Sequence, residues 1–191
     1  MIDRKDIEAA LAPALDLIRD AGLRTKTVDA WMMAIEEGGW RTMDELRAMP
    51  FTLLADCKGV TFIQHTLAVT LGAVGLAKGQ MQSYAAMPYF IDMDRLVAGG
   101  ILHDVGKLVE ISRAADGKFV KSRKGKLARH PILGAIIAAK AGLADEVVNC
   151  VACHAKEGEG APQVVETVLI HQADFATFDP LVMMGKGSLV Q

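Results

Sequence analysis

Apolar residues recur every three or four positions along most of the chain, which is the spacing of an amphipathic α-helix. In the first segment these positions are Ile7, Leu11, Leu15 and Ile18. Gly22 follows them at a point where the C-terminal cap of a helix is expected. This pattern predicts a first helix that ends at about Gly22.

The helices that follow are bounded by glycine, proline and capping signals. A short helix is predicted over 31–35, closed by two glycines, and the capping box Thr42–Glu45 opens a third helix that Pro50 stops. Pro131 and Pro162 are expected in the first turn of their helices, where proline is tolerated. Longer helices are predicted at about 61–79, 93–111, 131–141, 144–156 and 163–178.

The segment 112–126 breaks this helical pattern. It holds the turn signal Asp116-Gly117, then Phe119-Val120 and several basic residues. We therefore predict an exposed loop or a small hairpin instead of a helix. Its positive charge has two interpretations: a solvated loop, or a basic flap beside an anionic substrate.

Composition and charge narrow the class of protein. The 191 residues are 51% hydrophobic and carry a formal net charge of −2. The apolar fraction is too high for a disordered chain, and the balanced charge argues against a partner that is a nucleic-acid polymer. The first residues are charged, unlike a signal peptide, and no uninterrupted apolar run reaches about 18 residues. We therefore expect a cytoplasmic protein that does not associate with a membrane.

The three cysteines, Cys57, Cys150 and Cys153, cannot all pair within the chain. An odd, sparse set is typical of reduced thiols in a protein that is not exported. Cys150, Cys153 and His154 also match the Cys-x-x-Cys-His motif of haem attachment, but that attachment requires export. A closed zinc site lacks its second pair of ligands. We favour small buried thiols on one helix.

The strongest chemical signal is the doublet His103-Asp104, followed by Val-Gly106-Lys107. Neighbouring residues on a helix point about 100° apart. Both side chains therefore reach one metal cluster only if the end of the helix faces a pocket. Gly106 permits close approach of another backbone or of a ligand. Lys107 follows Asp104 by three positions, which brings its ammonium to the same side.

The other histidines lie on separate predicted helices. His65 stands in an apolar stretch, His130 at a helix start and His154 near a helix end, while His171 and Asp174 share one face. A single histidine among apolar residues is more often a hydrogen-bonded core residue. All 5 histidines are set this way, which would lower stability unless something organised them. Helical bundles build metal sites from imidazoles and carboxylates on several helices, so we expect a metal site.

The ordered pattern His65, His103-Asp104-Val-Gly-Lys107 and Asp174 resembles the HD-domain superfamily of metal-dependent phosphohydrolases. The resemblance implies that His65, His103, Asp104 and Asp174 ligate a divalent metal ion. It also implies that Asp104 bridges two ions if a second one is present.

The same resemblance implies a fold, and the sequence itself suggests how the chain is divided. The fold is an all-α HD-domain helical bundle over residues 51–185. The only plausible boundary lies near Pro50. Residues 1–50 are too few for an independent domain, so we expect them to form a small N-terminal helical extension that packs on this core.

Two further histidines extend the resemblance. HD proteins with binuclear sites add two histidines between the doublet and the last aspartate, and His130 and His154 stand there. The segment His-Pro-Ile-Leu-Gly that starts at His130 is similar to one of the HD-GYP subgroup, which hydrolyses cyclic di-GMP. Cys153 or Ala155 replaces one histidine of that subgroup, and Ala161 replaces its tyrosine. These departures argue against cyclic dinucleotides, but not against the metal site.

The resemblance therefore implies hydrolysis of a phosphomonoester or a phosphodiester, including nucleotide-type substrates, by metal-activated water. The implied cofactors are two divalent ions, such as Fe or Mn. Asp104 would fix the ions, and Lys107 would offset charge on the phosphate. The expected partner is a small, anionic, phosphorylated substrate. The implied metal ligands are His65, His103, Asp104, His130, His154 and Asp174.

Other interpretations stay open at this point. The same six ligands occur in HD-fold di-iron oxygenases similar to myo-inositol oxygenase, and the ligand pattern alone does not separate the two chemistries. A metal-binding signalling module is a third possibility. His171 is either a ligand, a ring that orients a ligating carboxylate, or part of the pocket wall. Lys156, Glu157 and Glu159 either line the mouth of the site or form a solvated loop.

Overall fold

The helical periodicity of the sequence is realised in a computed structural model that describes residues 1–158 and 161–190. Helices form almost all of its regular structure, together with one small antiparallel hairpin, which confirms the all-α fold class. In chain order the elements are α1 (Arg4–Leu15), α2 (Ala21–Gly38), α3 (Met43–Ala48), α4 (Phe62–Ser83), α5 (Met93–Leu102), α6 (Lys107–Glu110), β1 (Ile111–Arg113), β2 (Phe119–Lys121), α7 (Arg123–Leu127), α8 (His130–Lys140), α9 (Asp145–Cys153) and α10 (Val165–Gly185).

The centre of the bundle is formed by α4, α5 and α10, which pack against one another, with α9 against α5 and α8. Their buried apolar side chains belong to a single hydrophobic core that also includes side chains of α1 and α2. Helix α1 packs on α4, while α2 packs on α5, α6 and α8. The segment before residue 50 therefore shares its core with the rest of the bundle, and the domain boundary near Pro50 stays a prediction.

Two predicted helix boundaries are wrong near the N-terminus. The first helix ends at Leu15, and Gly22 lies in the first turn of α2 instead of capping α1. Asp20 begins the new helix because its carboxylate accepts the N–H of Leu23. The helix predicted over 31–35 is part of the longer α2, which ends at Gly38 and is capped by Gly39, where φ is +77°.

Two further differences from the prediction arise where a polar side chain binds the backbone. Pro162 does not lie in a first turn, since α10 begins at Val165. Asn149 accounts for this: its amide donates to the Ala161 carbonyl and its carbonyl accepts the Gln163 N–H. The segment 112–126 forms the predicted hairpin, but Ser122 caps a further short helix, α7, that the sequence did not indicate.

The helix predicted over 93–111 is interrupted by a turn at 103–106. Helix α5 ends at Leu102, and a separate helix, α6, begins at Lys107. Gly106 lies against the first turn of α8, where a Cβ would clash with the His130 carbonyl oxygen. The close approach inferred for Gly106 is therefore made by the backbone of α8. The doublet His103-Asp104 consequently stands at a helix end.

Helix length and composition bear on membrane association. Among the described residues, each helix falls short of the length or the apolarity that crossing a membrane requires.

Trp31 ties α2 to the helix that carries the doublet, which leads to a stability prediction. Its ring is fully buried, packs 5.3 Å from the Phe62 ring and donates from Nε1 to the Ile101 carbonyl at 3.1 Å. Trp31→Phe keeps most of the apolar contact but leaves a buried carbonyl without its donor. We expect a loss of about 1–2 kcal/mol in the free energy of unfolding, measured in urea. The half-exposed Leu17 supplies the control, since Leu17→Ala should change that free energy by less than about 0.5 kcal/mol.

Candidate metal centre

Five elements of the fold bring the predicted site residues to one buried point. His65 lies on α4, while His103 and Asp104 lie where α5 ends. His130 is the first residue of α8, and His154 follows the last residue of α9. Asp174 lies on α10. The four histidines and Asp104 are buried, and the Asp174 side chain is 16% exposed.

The six side chains form two groups that share Asp104. One group consists of His65, His103, Asp104 and Asp174, and the other of Asp104, His130 and His154. Within each group, one potential ligand atom per residue lies within 4.8 Å of the others. Helices from distant parts of the sequence are therefore needed to assemble either group.

The two carboxylate oxygens of Asp104 face different groups. Oδ2 lies 3.3 Å from both His65 Nε2 and His103 Nε2. Oδ1 lies 3.1 Å from His130 Nε2 and 3.5 Å from His154 Nε2. In the first group, Asp174 Oδ1 lies 3.1 Å from His65 Nε2. Asp104 therefore stands between two sets of nitrogen atoms.

Each of the four rings is held through Nδ1 on the side away from the cluster. His103 Nδ1 lies 2.6 Å from the Gly100 carbonyl oxygen, and His154 Nδ1 lies 2.8 Å from the Val151 carbonyl oxygen. A carbonyl oxygen only accepts, so both rings carry their proton on Nδ1. The Nε2 lone pairs of these two rings are then directed into the cluster, as metal-binding imidazoles require.

His65 is held in the same sense by Thr177. The Thr177 hydroxyl donates to the Asp174 carbonyl at 2.8 Å, so its oxygen is the acceptor for His65 Nδ1 at 3.3 Å. The ring of Phe51 stacks on the other side of the imidazole with a centroid distance of 4.2 Å. Thr177 and Phe51 were not identified from the sequence.

The polar atoms that face the cluster fit a cation. Within residues 1–158 and 161–190, the Nε2 atoms of His65, His103 and His154 and Oδ1 of Asp104 are buried without a hydrogen bond. Leaving several such groups unsatisfied lowers stability unless a ligand satisfies them. Imidazole nitrogen and carboxylate oxygen together suit Zn, Fe or Mn, so these donor atoms fit a divalent metal ion.

Electrostatics keep the two carboxylates ionised. Burial would raise the pKa of Asp104, but the Lys107 ammonium and then the His103 ring outweigh it and hold that pKa well below its ordinary value. Burial likewise opposes ionisation of Asp174, and its contact with His65 more than offsets this, so its pKa is also lowered. Burial lowers the pKa of His154, which favours the neutral ring that a metal ion needs.

Lys107 lies beside the cluster, as its spacing from Asp104 indicated. Its Nζ is 2.5 Å from Asp104 Oδ2, and its side chain is 12% exposed. It also lines a cavity of about 260 Å³, together with Phe51, His130, Asp174 and Phe178. A second cavity of about 240 Å³ shares Lys107 and His130 with the first. The open side of the cluster is therefore lined by a cation and by aromatic rings.

Glu110 belongs to the site but was not predicted from the sequence. Its carboxylate is buried and accepts the His130 backbone N–H at 2.6 Å and the His130 ring N–H at 3.0 Å. Burial opposes its ionisation, but these contacts with His130 outweigh that and lower the pKa of Glu110 to about 2. The available signal was an acidic residue inside the apolar run Leu-Val-Glu-Ile that follows Lys107.

The remaining candidates lie outside both groups. His171 is half-buried, and its Nδ1 donates to the His154 carbonyl at 2.5 Å. Cys150 is buried, and burial raises the pKa of its thiol to about 12. Lys156 lines the larger cavity. Glu159 and the side chain of Glu157 lie outside the described part of the chain.

The fold and the cluster define an all-helical protein with a buried histidine and aspartate centre suited to divalent metal ions. The chain belongs to the HD domain family, whose model matches residues 62–176. This confirms the family to which the sequence pattern pointed. Members of this family are typically metal-dependent hydrolases, and the buried groups found here are compatible with that chemistry.

Curated relatives are similar to this chain over part of its length. Ribonuclease Y of Pseudothermotoga lettingae is 32% identical over 95 residues, which is 50% of this chain and 16% of the relative. Ribonuclease Y of Thermotoga petrophila and that of Thermotoga maritima are each 27% identical over 116 residues, or 61% of this chain and 18% of each relative. The chain thus spans less than a fifth of these relatives. No solved structure gives a significant match.

Proposed function

We propose that this chain is a metal-dependent phosphohydrolase that acts on a small phosphorylated substrate and holds two divalent ions. The observation that carries this proposal is the shared Asp104, whose two oxygens face two separate sets of buried Nε2 atoms. One ion would be held by His65, His103, Asp104 and Asp174, and the other by Asp104, His130 and His154. Fe and Mn suit this mixture of donors.

Bound divalent ions lower the pKa of water and stabilise negative charge on a phosphoryl group. The protein's own contribution is to fix the donors before any ligand arrives. The Nδ1 contacts orient the rings, and the low pKa of Asp104 and Asp174 keeps both carboxylates anionic. The site therefore needs little reorganisation to bind cations.

Asp104 and Lys107 would have different catalytic roles. Asp104 would hold the ions, and Lys107 would contact the substrate. Its ammonium lies at the wall of the cavity, where an anionic phosphoryl group would meet it. In the metal-loaded site, Lys107 would no longer be needed to neutralise Asp104, and its ammonium would be free to contact the substrate. Lys107 would then donate to a phosphoryl oxygen as negative charge develops.

The size and the lining of the cavities support a small substrate. The two cavities that share Lys107 and His130 enclose about 260 and 240 Å³, and the aromatic rings of Phe51, Phe175 and Phe178 line the first of them. The formal net charge of −2 gives no general attraction for a polyanion. The relatives named ribonuclease Y make an RNA phosphodiester the natural alternative substrate, so it belongs in the test.

The proposal is tested by measuring hydrolysis of 4-nitrophenyl phosphate, bis(4-nitrophenyl) phosphate and a short RNA oligonucleotide with Mn²⁺ or Fe²⁺. We expect metal-dependent release of nitrophenol from at least one of the two small esters. Cleavage of the RNA alone would overturn the proposed substrate class. If all three substrates remain intact with either ion, the proposed activity is wrong.

If Lys107 acts on the substrate, its removal should lower turnover without weakening metal binding. Lys107→Met is expected to lower kcat by about 100-fold, the effect of removing one donor from a developing oxyanion. Affinity for Mn²⁺ should not fall, because the Lys107 ammonium neutralises Asp104, the carboxylate that would hold the ions. Steady-state kinetics and Mn²⁺ titration calorimetry measure the two quantities. Lys78→Met, on the exposed side of α4, is the matched control and should leave both unchanged.

A further inference from the structure

A buried carboxylate outside both metal groups is placed to control one of them. Glu110, the last residue of α6, is 6% exposed, and its two oxygens have different partners. Oε2 accepts both N–H groups of His130, at 2.6 and 3.0 Å. Oε1 lies 3.1 Å from Arg129 Nε and 3.4 Å from Lys121 Nζ. Glu110 thus joins the hairpin to the start of α8.

Helix α8 depends on Glu110 for its first turn. Arg129 stands at the N-cap position, and its side chain makes no capping hydrogen bond. The Glu110 carboxylate instead accepts the backbone N–H of His130 from another element. A negative charge at this end of a helix is also favoured by the helix dipole. One oxygen atom therefore sets the position of the His130 backbone and the orientation of its ring.

His130 differs from the other three histidines of the cluster in the charge of its partner. The Nδ1 atoms of His103 and His154 donate to neutral backbone carbonyls, and that of His65 donates to the Thr177 hydroxyl. His130 Nδ1 donates to a carboxylate. A carboxylate partner fixes the ring and makes it a more basic ligand, so its removal typically weakens metal binding.

We infer that Glu110 is a positioning residue for the second metal site, the group of Asp104, His130 and His154. It holds His130 Nε2 toward that site and sets the affinity of the site for its ion. This inference rests on the proposed function, because it assumes that His130 is a ligand. It predicts that Glu110 acts on the group of Asp104, His130 and His154, while the group containing His65 and Asp174 is unaffected.

The test is titration of the metal-free full chain with Mn²⁺ by calorimetry, which reports both binding events without an activity measurement. Glu110→Ala is expected to weaken the second event by about 10–100-fold and to leave the first within about twofold. The matched control is Glu166→Ala. Glu166 is also buried, at 1% exposed, and it accepts the Asp92 backbone N–H at 2.7 Å at the start of α5, away from the cluster. It should leave both affinities unchanged, whatever it does to the melting temperature.

A double-mutant cycle with His130→Ala separates positioning from general stabilisation. If Glu110 acts through His130, the double variant should bind the second ion no more weakly than His130→Ala alone. Should Glu110→Ala fail to fold, Glu110→Gln replaces it. Glutamine keeps the shape and one acceptor oxygen, and it should weaken the second event by a smaller factor in the same direction.

The outcomes distinguish this inference from the proposed function. Two binding events in wild type with an unchanged second affinity in the Glu110 variants would overturn the role of Glu110 alone. Equal weakening of both events, or additive effects in the cycle, would also overturn it. Absence of any Mn²⁺ binding in the wild type would overturn the proposed function, and the inference with it.

Discussion

Asp104→Ala is expected to abolish metal-dependent hydrolysis and the binding of both ions. Asp104 is the one residue that the two groups share, and its oxygens lie 3.1–3.5 Å from four histidine nitrogens. Bound ions contribute several kcal/mol to transition-state stabilisation. Since about 1.4 kcal/mol corresponds to a tenfold change in rate, kcat/KM should fall by about 1,000-fold or more.

The measurement combines kinetics on a nitrophenyl ester with Mn²⁺ titration of the same preparation. Asp104→Asn is the matched control for shape, because it keeps the volume of the side chain and removes only its charge. We expect it to fold and to lose activity like Asp104→Ala. The assignment is wrong if either variant retains wild-type turnover. An activity that survives without bound metal would likewise contradict it.

Gly106→Ala is the second change with a large expected effect. A Cβ at this position would clash with the His130 carbonyl oxygen and lie 2.6 Å from the Gly134 backbone nitrogen. Both neighbours are backbone atoms of α8, so no flexible side chain can move aside. Overpacking typically lowers the free energy of unfolding by about 1–3 kcal/mol, and we expect about 3 kcal/mol here. Because α8 begins with His130, its displacement should also weaken binding of the second ion.

Chemical denaturation and Mn²⁺ titration of the Gly106 variant test this prediction. Gly75→Ala provides the control, since a Cβ at Gly75 meets open space among the described residues, in the middle of α4. There the substitution should raise the free energy of unfolding by about 0.5–1 kcal/mol, because alanine favours the helix. A Gly106→Ala variant as stable as the wild type would show that α8 does not pack as closely as described.

Local sequence signals predicted much of the fold and of the candidate site. The helical spacing predicted the fold class, and the doublet His103-Asp104 led to both metal groups. These signals work because a metal ligand must be one of a few residue types, and a helix repeats its apolar positions. The family model matches the same part of the chain, residues 62–176.

The features that the sequence did not reveal depend on partners far away in the chain. Glu110 meets His130 only after the hairpin has folded back, and Thr177 meets His65 from the opposite end of the domain. Asn149 delays the start of α10 through contacts that span more than ten positions. Such pairings are set by tertiary packing, which a single sequence does not display.

The most direct test of the central claim is the metal content of the protein purified without added metal or chelator. Inductively coupled plasma mass spectrometry on the native chain would provide it. We predict two divalent ions per chain, falling to one in His154→Ala, which loses a ligand of the second group only. One ion in the wild type would contradict the second site. No bound ion, together with no rise in melting temperature on addition of Mn²⁺ or Fe²⁺, would contradict the whole account.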